Sequence, residues 1–372
     1  MATVMPIAQV AREELAGFQG RLIGPDDADY DEARRVYNAM IDKRPAVIAR
    51  CATAEDVSQA VRFARERGLP LAVRGGGHNG AGLGTNDDGM VIDLCLLKSI
   101  DVDPPARTVR VGGGSTWGEV DRATHPFGLA TPSGIIATTG VGGLTLGGGL
   151  GHLTRRHGLA IDNLLAAQVV TAAGDIVIVS ADEHPDLFWG LRGAGPNFGV
   201  VTSFEFRLHP VGPMLAGRLV YPLAKAREVF HAFHEIIQTA PDELTATCVL
   251  RTLPDGAPVA AVTLCYNGPI DMGEAVVEPL RGVGSPIADL VRPMTYLEVQ
   301  SLIDPLYPPG LCQYWKSNFV QELSDEAIDT IIEHFASVSS PLTLVILDQL
   351  GGAMGRVGAD ETAFGYREAA HD

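Results

Sequence analysis

One histidine stands inside a run of glycines, where its imidazole is available as a nucleophile or as a ligand contact. His78 follows three glycines, 75–77, at the end of an apolar segment, 69–74, that predicts a strand. Consecutive glycines after a strand leave backbone N–H groups uncovered by Cβ atoms, which is the geometry of an anion-binding nest. A lone histidine is more often a surface or structural residue, but here the flanking glycines place the imidazole beside the path of a bound ligand. We therefore predict that residues 74–80 bind a phosphate-bearing ligand next to His78.

A second glycine run lies at 140–151 and supplies another wall for the same ligand. Of the 43 glycines in 372 residues, 20 fall between Gly75 and Gly151, and no G-X-Y period runs through them. The segment 131–153 carries too many glycines for a regular helix, so we expect irregular structure there. Two such loops separated by strands suit a long ligand with a diphosphate at its centre.

Other nucleotide and hydrolase motifs do not fit the chain. Gly-Gly-Gly-His-Asn-Gly at 75–80 matches G-x-G-x-x-G, but that fingerprint requires a helix opening at its third glycine. Residues 81–90, AGLGTNDDGM, predict turns instead. A nicotinamide-dependent Rossmann dehydrogenase is therefore disfavoured. The sequence contains neither a G-x-x-x-x-G-K-[ST] phosphate loop nor a G-x-S-x-G nucleophile elbow.

Composition narrows the class of protein further. The formal net charge is −17 with no basic stripe, which argues against nucleic-acid binding. No apolar run reaches membrane-spanning length, and the start of the chain lacks a signal-peptide pattern, so we expect a cytoplasmic protein that does not contact a membrane. The five cysteines form no CxxC pair, which favours a reducing compartment. His152 and His157 lack a third nearby ligand, so no metal site is predicted. The sequence does not indicate an oligomeric state.

The length suggests two or three domains, and the pattern of elements predicts an α+β fold. Residues 1–40 are expected to form a helical lead-in, residues 41–213 a first domain that begins with a βαβ-like unit, and residues 214–372 a second domain. In the second domain an antiparallel sheet with helices on one face is predicted. Its strands are expected at 215–223, 244–253, 258–266 and 342–350, and its helices at about 225–238, 272–282 and 324–337.

Several motifs, in order, resemble one family of flavoproteins. They are RGGGHN at 74–79, VGGGSTWGEVD at 111–121, GLATPSG at 128–134, TTGVGGLTLGGGLGHLTRRHGLAIDN at 138–163 and DLFWGLRGAGPNFGVVTSFEF at 186–206. Together they resemble the PCMH-type FAD-binding domain of berberine-bridge-enzyme-like oxidases of the vanillyl-alcohol-oxidase superfamily, in the style of the bacterial 6-hydroxynicotine-oxidase branch. The resemblance covers roughly residues 40–372. It implies an FAD-binding domain of two α/β subdomains at 41–213 and a substrate domain at 214–372.

The resemblance also implies how FAD is held. The cofactor is expected to lie extended across the first domain, with its diphosphate between the two glycine loops and a covalent bond from His78 to the flavin 8α-methyl. Many relatives attach the flavin a second time through a cysteine, but Ile136 occupies that position here, so single attachment is expected. The cofactor-binding residues implied are Arg74, Gly75, Gly76, Gly77, His78, Asn79, Gly80, Ser115, Pro132, Gly134, Thr138, Thr139, Gly140, Gly142, Gly143, Gly148, Gly151 and Val201.

For the chemistry, the resemblance implies an oxidoreductase that removes a hydride from a C–H next to an OH or N of a small molecule and passes electrons to O2. Tyr314, Asp348 and Gln349 are the candidate catalytic residues, with a carboxylate as the natural proton acceptor. The C-terminal Tyr-x-Asn-type motifs of full-length relatives are absent, so the substrate domain is expected to be incomplete. The alternative is a truncated flavin-binding protein with little or no catalytic activity.

Overall fold

The computed structural model describes residues 5–372, and its first sheet carries the histidine loop. Its four strands are β1 (Arg21–Ile23), β2 (Val47–Arg50), β3 (Leu71–Arg74) and β4 (Met90–Asp93), in the order β1-β2-β4-β3. The pairs β2–β4 and β3–β4 are parallel, and β1 pairs antiparallel with β2. The helices of this part are α1 (Ile7–Glu14), α2 (Tyr30–Ala33) and α3 (Ala54–Glu66).

Three predictions for this region can be compared with the structure. Helix α3 begins where the sequence indicates, because the Thr53 side chain accepts a hydrogen bond from the Asp56 backbone N–H. The lead-in, expected to be helical, also contributes β1 to the sheet. Residues 1–4 of that lead-in lie outside the described residues. The segment after Gly80 contains turns and no helix, as predicted.

The second sheet is antiparallel throughout and lies within residues 41–213, the predicted first domain. Its strands are β5 (Ile100–Asp103), β6 (Thr108–Gly112), β8 (Leu164–Val170), β9 (Ile176–Ser180) and β10 (Val200–Arg207), in the order β5-β6-β10-β8-β9. A separate pair joins β7 (Leu129–Ala130) to β11 (His209–Pro210). The core beside this sheet contains the fully buried Trp117, Phe204 and Phe206. The remaining helices here are α4 (Trp117–Thr124), α5 (Val141–Leu146), α6 (Thr154–His157) and α7 (Pro185–Leu191).

Helix α5 corrects one expectation. The glycine-rich segment 131–153 was expected to lack a regular helix, yet six of its residues form α5. Val141, Thr145 and Leu146 are buried on one side of this turn and a half. Burial of these side chains outweighs the poor helix propensity of Gly142 and Gly143, because packing rather than propensity stabilises most short helices in proteins.

The third sheet lies within residues 214–372, the predicted second domain, and the mixture of sheets and helices confirms the α+β class. Its strands are β12 (Met214–Pro222), β13 (Leu244–Thr252), β14 (Pro258–Tyr266), β15 (Ala288–Asp289), β16 (Arg292–Met294) and β17 (Val345–Asp348). The order is β15-β12-β14-β13-β17, all antiparallel, with β16 also paired to β12. The helices are α8 (Ala226–Thr239), α9 (Ile270–Arg281), α10 (Tyr296–Gln300) and α11 (Asp325–Ala336).

The two faces of the third sheet have different neighbours. Leu219, Cys248 and Val262 lie in the core shared with α8, α9 and α11. On the opposite face, Ala216 and Cys265 pack against Leu153 of the first domain. The polar side chains of that second face therefore look toward the first domain. Within residues 5–372, no helix combines the length and apolar character needed to cross a membrane.

Candidate active site

The two glycine runs meet backbone to backbone. A Cβ atom added to Gly76 would overlap the backbone nitrogen of Gly140, and one added to Gly140 would overlap the backbone nitrogen of Gly76. The second loop is held in place by Val141, whose N–H donates to the Ser115 carbonyl at 2.9 Å. Only glycine allows this approach, so both loops can present their amides to a single ligand.

His78 lies where these loops meet and is half-buried. The Tyr37 ring stacks on its imidazole with centroids 4.0 Å apart and planes 21° apart. The Thr138 hydroxyl lies 3.0 Å from Nε2, and the Thr139 hydroxyl lies 3.5 Å from Nδ1. Burial lowers the pKa of His78 to about 4, so the imidazole is neutral at physiological pH. A neutral imidazole with both nitrogens near hydroxyls is an oriented nucleophile.

A cleft of about 380 Å³ runs beside the first loop, and a buried ion pair forms part of its wall. Arg74 donates to Asp93 at 2.9 Å, and Arg50 donates to the same carboxylate oxygen at 3.1 Å. Burial would raise the pKa of Asp93, but the charges and hydrogen bonds of Arg74 and Arg50 hold it below its ordinary value. Arg74 also donates to the Arg35 carbonyl. The Arg74 guanidinium is thus engaged in fixing the start of the loop.

The polar groups around the second loop fit a large polar cofactor. Ser115 is fully buried, and its hydroxyl has no hydrogen-bond partner among the described residues. The same holds for the Thr131 and Thr145 hydroxyls and for Nε2 of His152. Groups of this kind require a partner, because an unsatisfied buried donor or acceptor costs about 1–3 kcal/mol. Apart from its chain neighbours and its own helix backbone, no atom lies within 4 Å of a Cβ built on Gly143, so space remains at this loop for a ligand.

Other residues expected at the cofactor have packing roles visible in the structure. The Asn79 side chain accepts a hydrogen bond from Leu83 N–H and closes the turn after the histidine. A Cβ on Gly80 would contact the Trp315 ring, and one on Gly148 would contact Phe364. Pro132 and Gly134 are buried, and the Gly134 carbonyl accepts from Gln300 of the second domain. Gly151 and Val201 are also tightly packed. Gly151 lies against the Ser133 carbonyl, and Val201, within β10, lies against Gly113.

The second domain contributes a polar row on the sheet face that looks toward the first domain. The register places Arg218, Thr263, Thr247 and Asp348 directly opposite one another on β12, β14, β13 and β17. Arg218 Nε donates to the Thr263 hydroxyl at 3.2 Å, and the Thr247 hydroxyl donates to Asp348 at 2.6 Å. Burial raises the pKa of Asp348 to about 6, which suits a proton acceptor near neutral pH.

The three candidate catalytic residues are not brought together. Gln349 is only 4% exposed, and neither its side-chain nitrogen nor its oxygen has a partner among the described residues. Because successive side chains along a strand alternate, the Gln349 side chain points to the opposite face of the sheet from Asp348. Tyr314 is 76% exposed and lies on the surface of the irregular segment 311–319. Of the three candidates, only Asp348 therefore belongs to the polar row that looks toward the first domain.

No sequence pattern pointed to three residues at this site, which are Tyr37, Asn38 and Tyr307. Tyr37 stacks on His78, and its hydroxyl donates to the Tyr307 carbonyl at 2.7 Å. Asn38 is buried and donates to the carbonyls of Gly80 and Gln313 at 3.0 and 2.8 Å. Its side-chain oxygen accepts from Gln313 N–H. These contacts bind the second domain to the histidine loop across about 270 residues of sequence, so local patterns could not reveal them.

Comparisons with known proteins agree with this geometry. A family model described as an FAD binding domain matches residues 45–180. The chain is 38% identical over 303 residues to (R)-6-hydroxynicotine oxidase of Paenarthrobacter nicotinovorans, covering 80% of this chain and 66% of that protein. It is 34% identical over 366 residues to an FAD-linked oxidoreductase of Dictyostelium discoideum, covering 97% of this chain and 79% of that protein.

Solved structures show the same similarity. The crystal structure of 6-hydroxy-D-nicotine oxidase from Arthrobacter nicotinovorans superposes with a TM-score of 0.86 at 33% identity, covering 91% of this chain and 77% of that one. The BBE-like 1 protein of Physcomitrella patens gives a TM-score of 0.88 at 27% identity, covering 97% and 82%. These matches agree with the two glycine loops, the histidine between them and the sheet face opposite. They show that the chain belongs to the FAD-linked oxidoreductases of the PCMH-type, berberine-bridge-enzyme-like superfamily.

Proposed function

We propose that this chain is an oxidase that carries FAD on His78 through one covalent bond and oxidises a small molecule at a carbon bearing an OH or N. The observation that carries the proposal is the neutral His78 imidazole, oriented by Thr138 and Tyr37 where the two glycine loops meet. FAD, when bound, supplies the hydride acceptor and the route for electrons to O2. Ile136 at the position of a second attachment supports a single bond.

The residues of the first loop prepare His78 for this bond. A nucleophile must present a lone pair, and the low pKa of His78 keeps the imidazole unprotonated without a separate base. The Thr138 contact at Nε2 and the Tyr37 stack restrict rotation of the ring. A ring held in one orientation loses little entropy when it forms the bond, which favours reaction.

Asp348 is the residue best suited to accept the proton of the substrate's OH or NH. Its pKa near 6 leaves it largely ionised at neutral pH, and the Thr247 hydroxyl fixes one carboxylate oxygen. Tyr307 lies near both residues. Its carbonyl accepts a hydrogen bond from the Tyr37 hydroxyl, and burial raises the pKa of its phenol, an effect that the charge of Arg251 opposes and the charge of Asp348 reinforces. We do not assign the role of proton acceptor to Tyr314, because its side chain is exposed to solvent.

The compartment belongs to the same proposal. All five cysteines are free thiols, and Cys51, Cys248 and Cys265 are buried in the protein core. Free, buried thiols suit a reducing compartment, and with the acidic surface this supports a cytoplasmic enzyme acting on small molecules.

The test is whether flavin is present and how it is attached. The purified protein should show the absorption spectrum of oxidised flavin, and the yellow colour should stay with the pellet after acid precipitation. His78→Ala should release the flavin into the acid supernatant, whereas His334→Ala, at an exposed position of α11, should not. Colour that leaves the wild-type pellet contradicts covalent attachment. A colourless protein that stays colourless after addition of FAD contradicts the whole proposal.

Turnover is tested separately on the same sample. Candidate alcohols and amines are screened for anaerobic bleaching of the flavin band, followed by peroxide on admission of air. Bleaching and peroxide with the same compound support an oxidase. Bleaching without peroxide contradicts the transfer to O2, and flavin that no compound reduces supports a flavin-binding protein without catalytic activity.

A further inference from the structure

Two arginines on the third sheet lack the partners that buried arginines normally have. Arg218 and Arg251 lie on β12 and β13, and their neighbours Leu219 and Leu250 belong to the core on the helix side. Because side chains alternate along a strand, both arginines point to the face that looks toward the first domain. Within residues 5–372, no carboxylate oxygen lies within 4.0 Å of either guanidinium. Nε of Arg251 is buried without a hydrogen-bond partner there.

Three other arginines of this chain, which are more deeply buried, place their terminal nitrogens on carboxylates or carbonyls, although Nε of Arg367 also lacks a partner among the described residues. Arg74 is paired with Asp93, and Arg367 makes a two-pronged ion pair with Asp162. Arg155 donates to three backbone carbonyls. A guanidinium carries five donors, and burying them without acceptors is costly.

By contrast, Arg218 makes a single hydrogen bond, through Nε to Thr263, and leaves both terminal nitrogens unused among the described residues. The two guanidinium groups also repel each other. Burial lowers the pKa of Arg218, and the charge of Arg251 lowers it further. Two half-buried cations in mutual repulsion, with most of their donors free, form a site that an anion would stabilise.

The position of this pair relates it to the active site. Arg218 and Asp348 occupy the two ends of the polar row, separated by three strand spacings, or about 14 Å between backbones. Tyr307 lies within electrostatic range of Arg218, Arg251 and Asp348. Arg218 lies at the β12 end of the row and Asp348 at the β17 end, whereas Arg251 lies on β13, on the same face of the sheet and four residues beyond Thr247.

We propose that Arg218 and Arg251 form an oxyanion subsite, so that the substrate is a small molecule carrying a carboxylate or a phosphate several bonds from the carbon that is oxidised. This inference rests on the proposed function for the oxidation itself. Arginine favours such groups because its planar fork matches their oxygens in pairs. The subsite sets which end of the substrate faces Asp348 and excludes neutral analogues of the same shape.

The experiment measures anion binding directly, by isothermal titration calorimetry on the purified holoprotein. The probes are benzoate, its neutral isostere benzamide, and inorganic phosphate. We expect saturable binding of benzoate or phosphate and none of benzamide at the same concentrations. Arg218→Gln and Arg251→Gln should each raise the Kd at least tenfold, the loss expected for one charge-assisted contact. Arg227→Gln, at an exposed arginine already paired with Asp329, should leave the Kd unchanged.

The outcomes separate this proposal from the previous one. Stronger binding of benzoate supports a carboxylate substrate, and stronger binding of phosphate supports a phosphate ester. The subsite is overturned if neither anion binds saturably, if benzamide binds as tightly as benzoate, or if both glutamine variants keep the wild-type Kd. Thermal melting of each variant confirms that it is folded. Flavin absorbance on the same samples tests the proposed function separately. If anion binding depends on the arginines but the samples contain no flavin, the subsite proposal stands and the proposed function fails.

Discussion

Tyr37 and His78 stack with ring centroids 4.0 Å apart, and the tyrosine hydroxyl at the far side of the stack donates to the Tyr307 carbonyl. One side chain thus touches the expected attachment point of the flavin and a segment of the second domain. The stack restricts the imidazole, and the hydroxyl restrains the second domain. Two substitutions can separate these effects.

Tyr37→Phe keeps the ring and removes the hydrogen bond. We expect normal covalent flavin and a loss of about 1 kcal/mol in the free energy of unfolding. Tyr37→Ala removes both, so we expect the fraction of covalently bound flavin to fall as well. Flavin in the acid pellet and denaturant unfolding measure the two effects. Tyr366→Phe, at an exposed tyrosine, is the control. Equal covalent flavin in Tyr37→Ala and wild type would show that the stack does not orient His78.

The contact between Gly76 and Gly140 predicts a steric effect. Gly76→Ala places a methyl group against the Gly140 backbone, which cannot yield as a flexible side chain would. We expect the two loops to separate, with a loss of about 1–3 kcal/mol in stability and loss of bound flavin. The ratio of flavin to protein absorbance and the melting temperature provide the measurements. Gly212→Ala serves as control because nothing lies within 4 Å of its added Cβ. A full complement of flavin in Gly76→Ala would refute the close packing.

Asp121 predicts a pH dependence of stability. Burial raises its pKa to about 7, and the single hydrogen bond from Gln300 does not compensate. The folded state therefore binds this proton more tightly than the unfolded state between about pH 4 and 7, so the contribution of Asp121 to stability falls as pH rises through that window. Above pH 7 the penalty is complete.

Asp121→Asn should remove this penalty. The melting temperature of the variant relative to wild type should rise between pH 4 and pH 8, by several degrees over the window. Asp182→Asn, at an exposed carboxylate, should show a constant difference. A difference for Asp121→Asn that is the same at every pH would mean that Asp121 titrates with an ordinary pKa.

Asp348 predicts a pH dependence of catalysis with the opposite sign. A base must be ionised to act, so the rate of flavin reduction should rise with pH through about 6 and level off above it. Asp348→Asn should lower that rate at least about 100-fold and abolish the rise. Stopped-flow reduction by any compound that reduces the wild type measures this, again with Asp182→Asn as control. A wild-type pH profile in Asp348→Asn would assign the proton to another group.

Local sequence was enough for the parts of the site that depend on one segment. The glycines at 75–77, His78 and the cap of α3 at Thr53 all follow from residue types within a few positions. The short helix at Val141–Leu146 was missed because burial, not propensity, stabilises it. Tyr37, Asn38 and Tyr307 were missed for a different reason: their roles depend on contacts between segments about 270 residues apart. The opposition of Arg218 and Asp348 likewise depends on strand register, which only the assembled sheet defines.

The Asn38 contacts have a consequence for how the two halves of the molecule move. One side chain joins the Gly80 carbonyl to the backbone of Gln313, so the turn after the histidine and a segment of the second domain share a single amide. The second domain cannot move away from this turn unless these hydrogen bonds break.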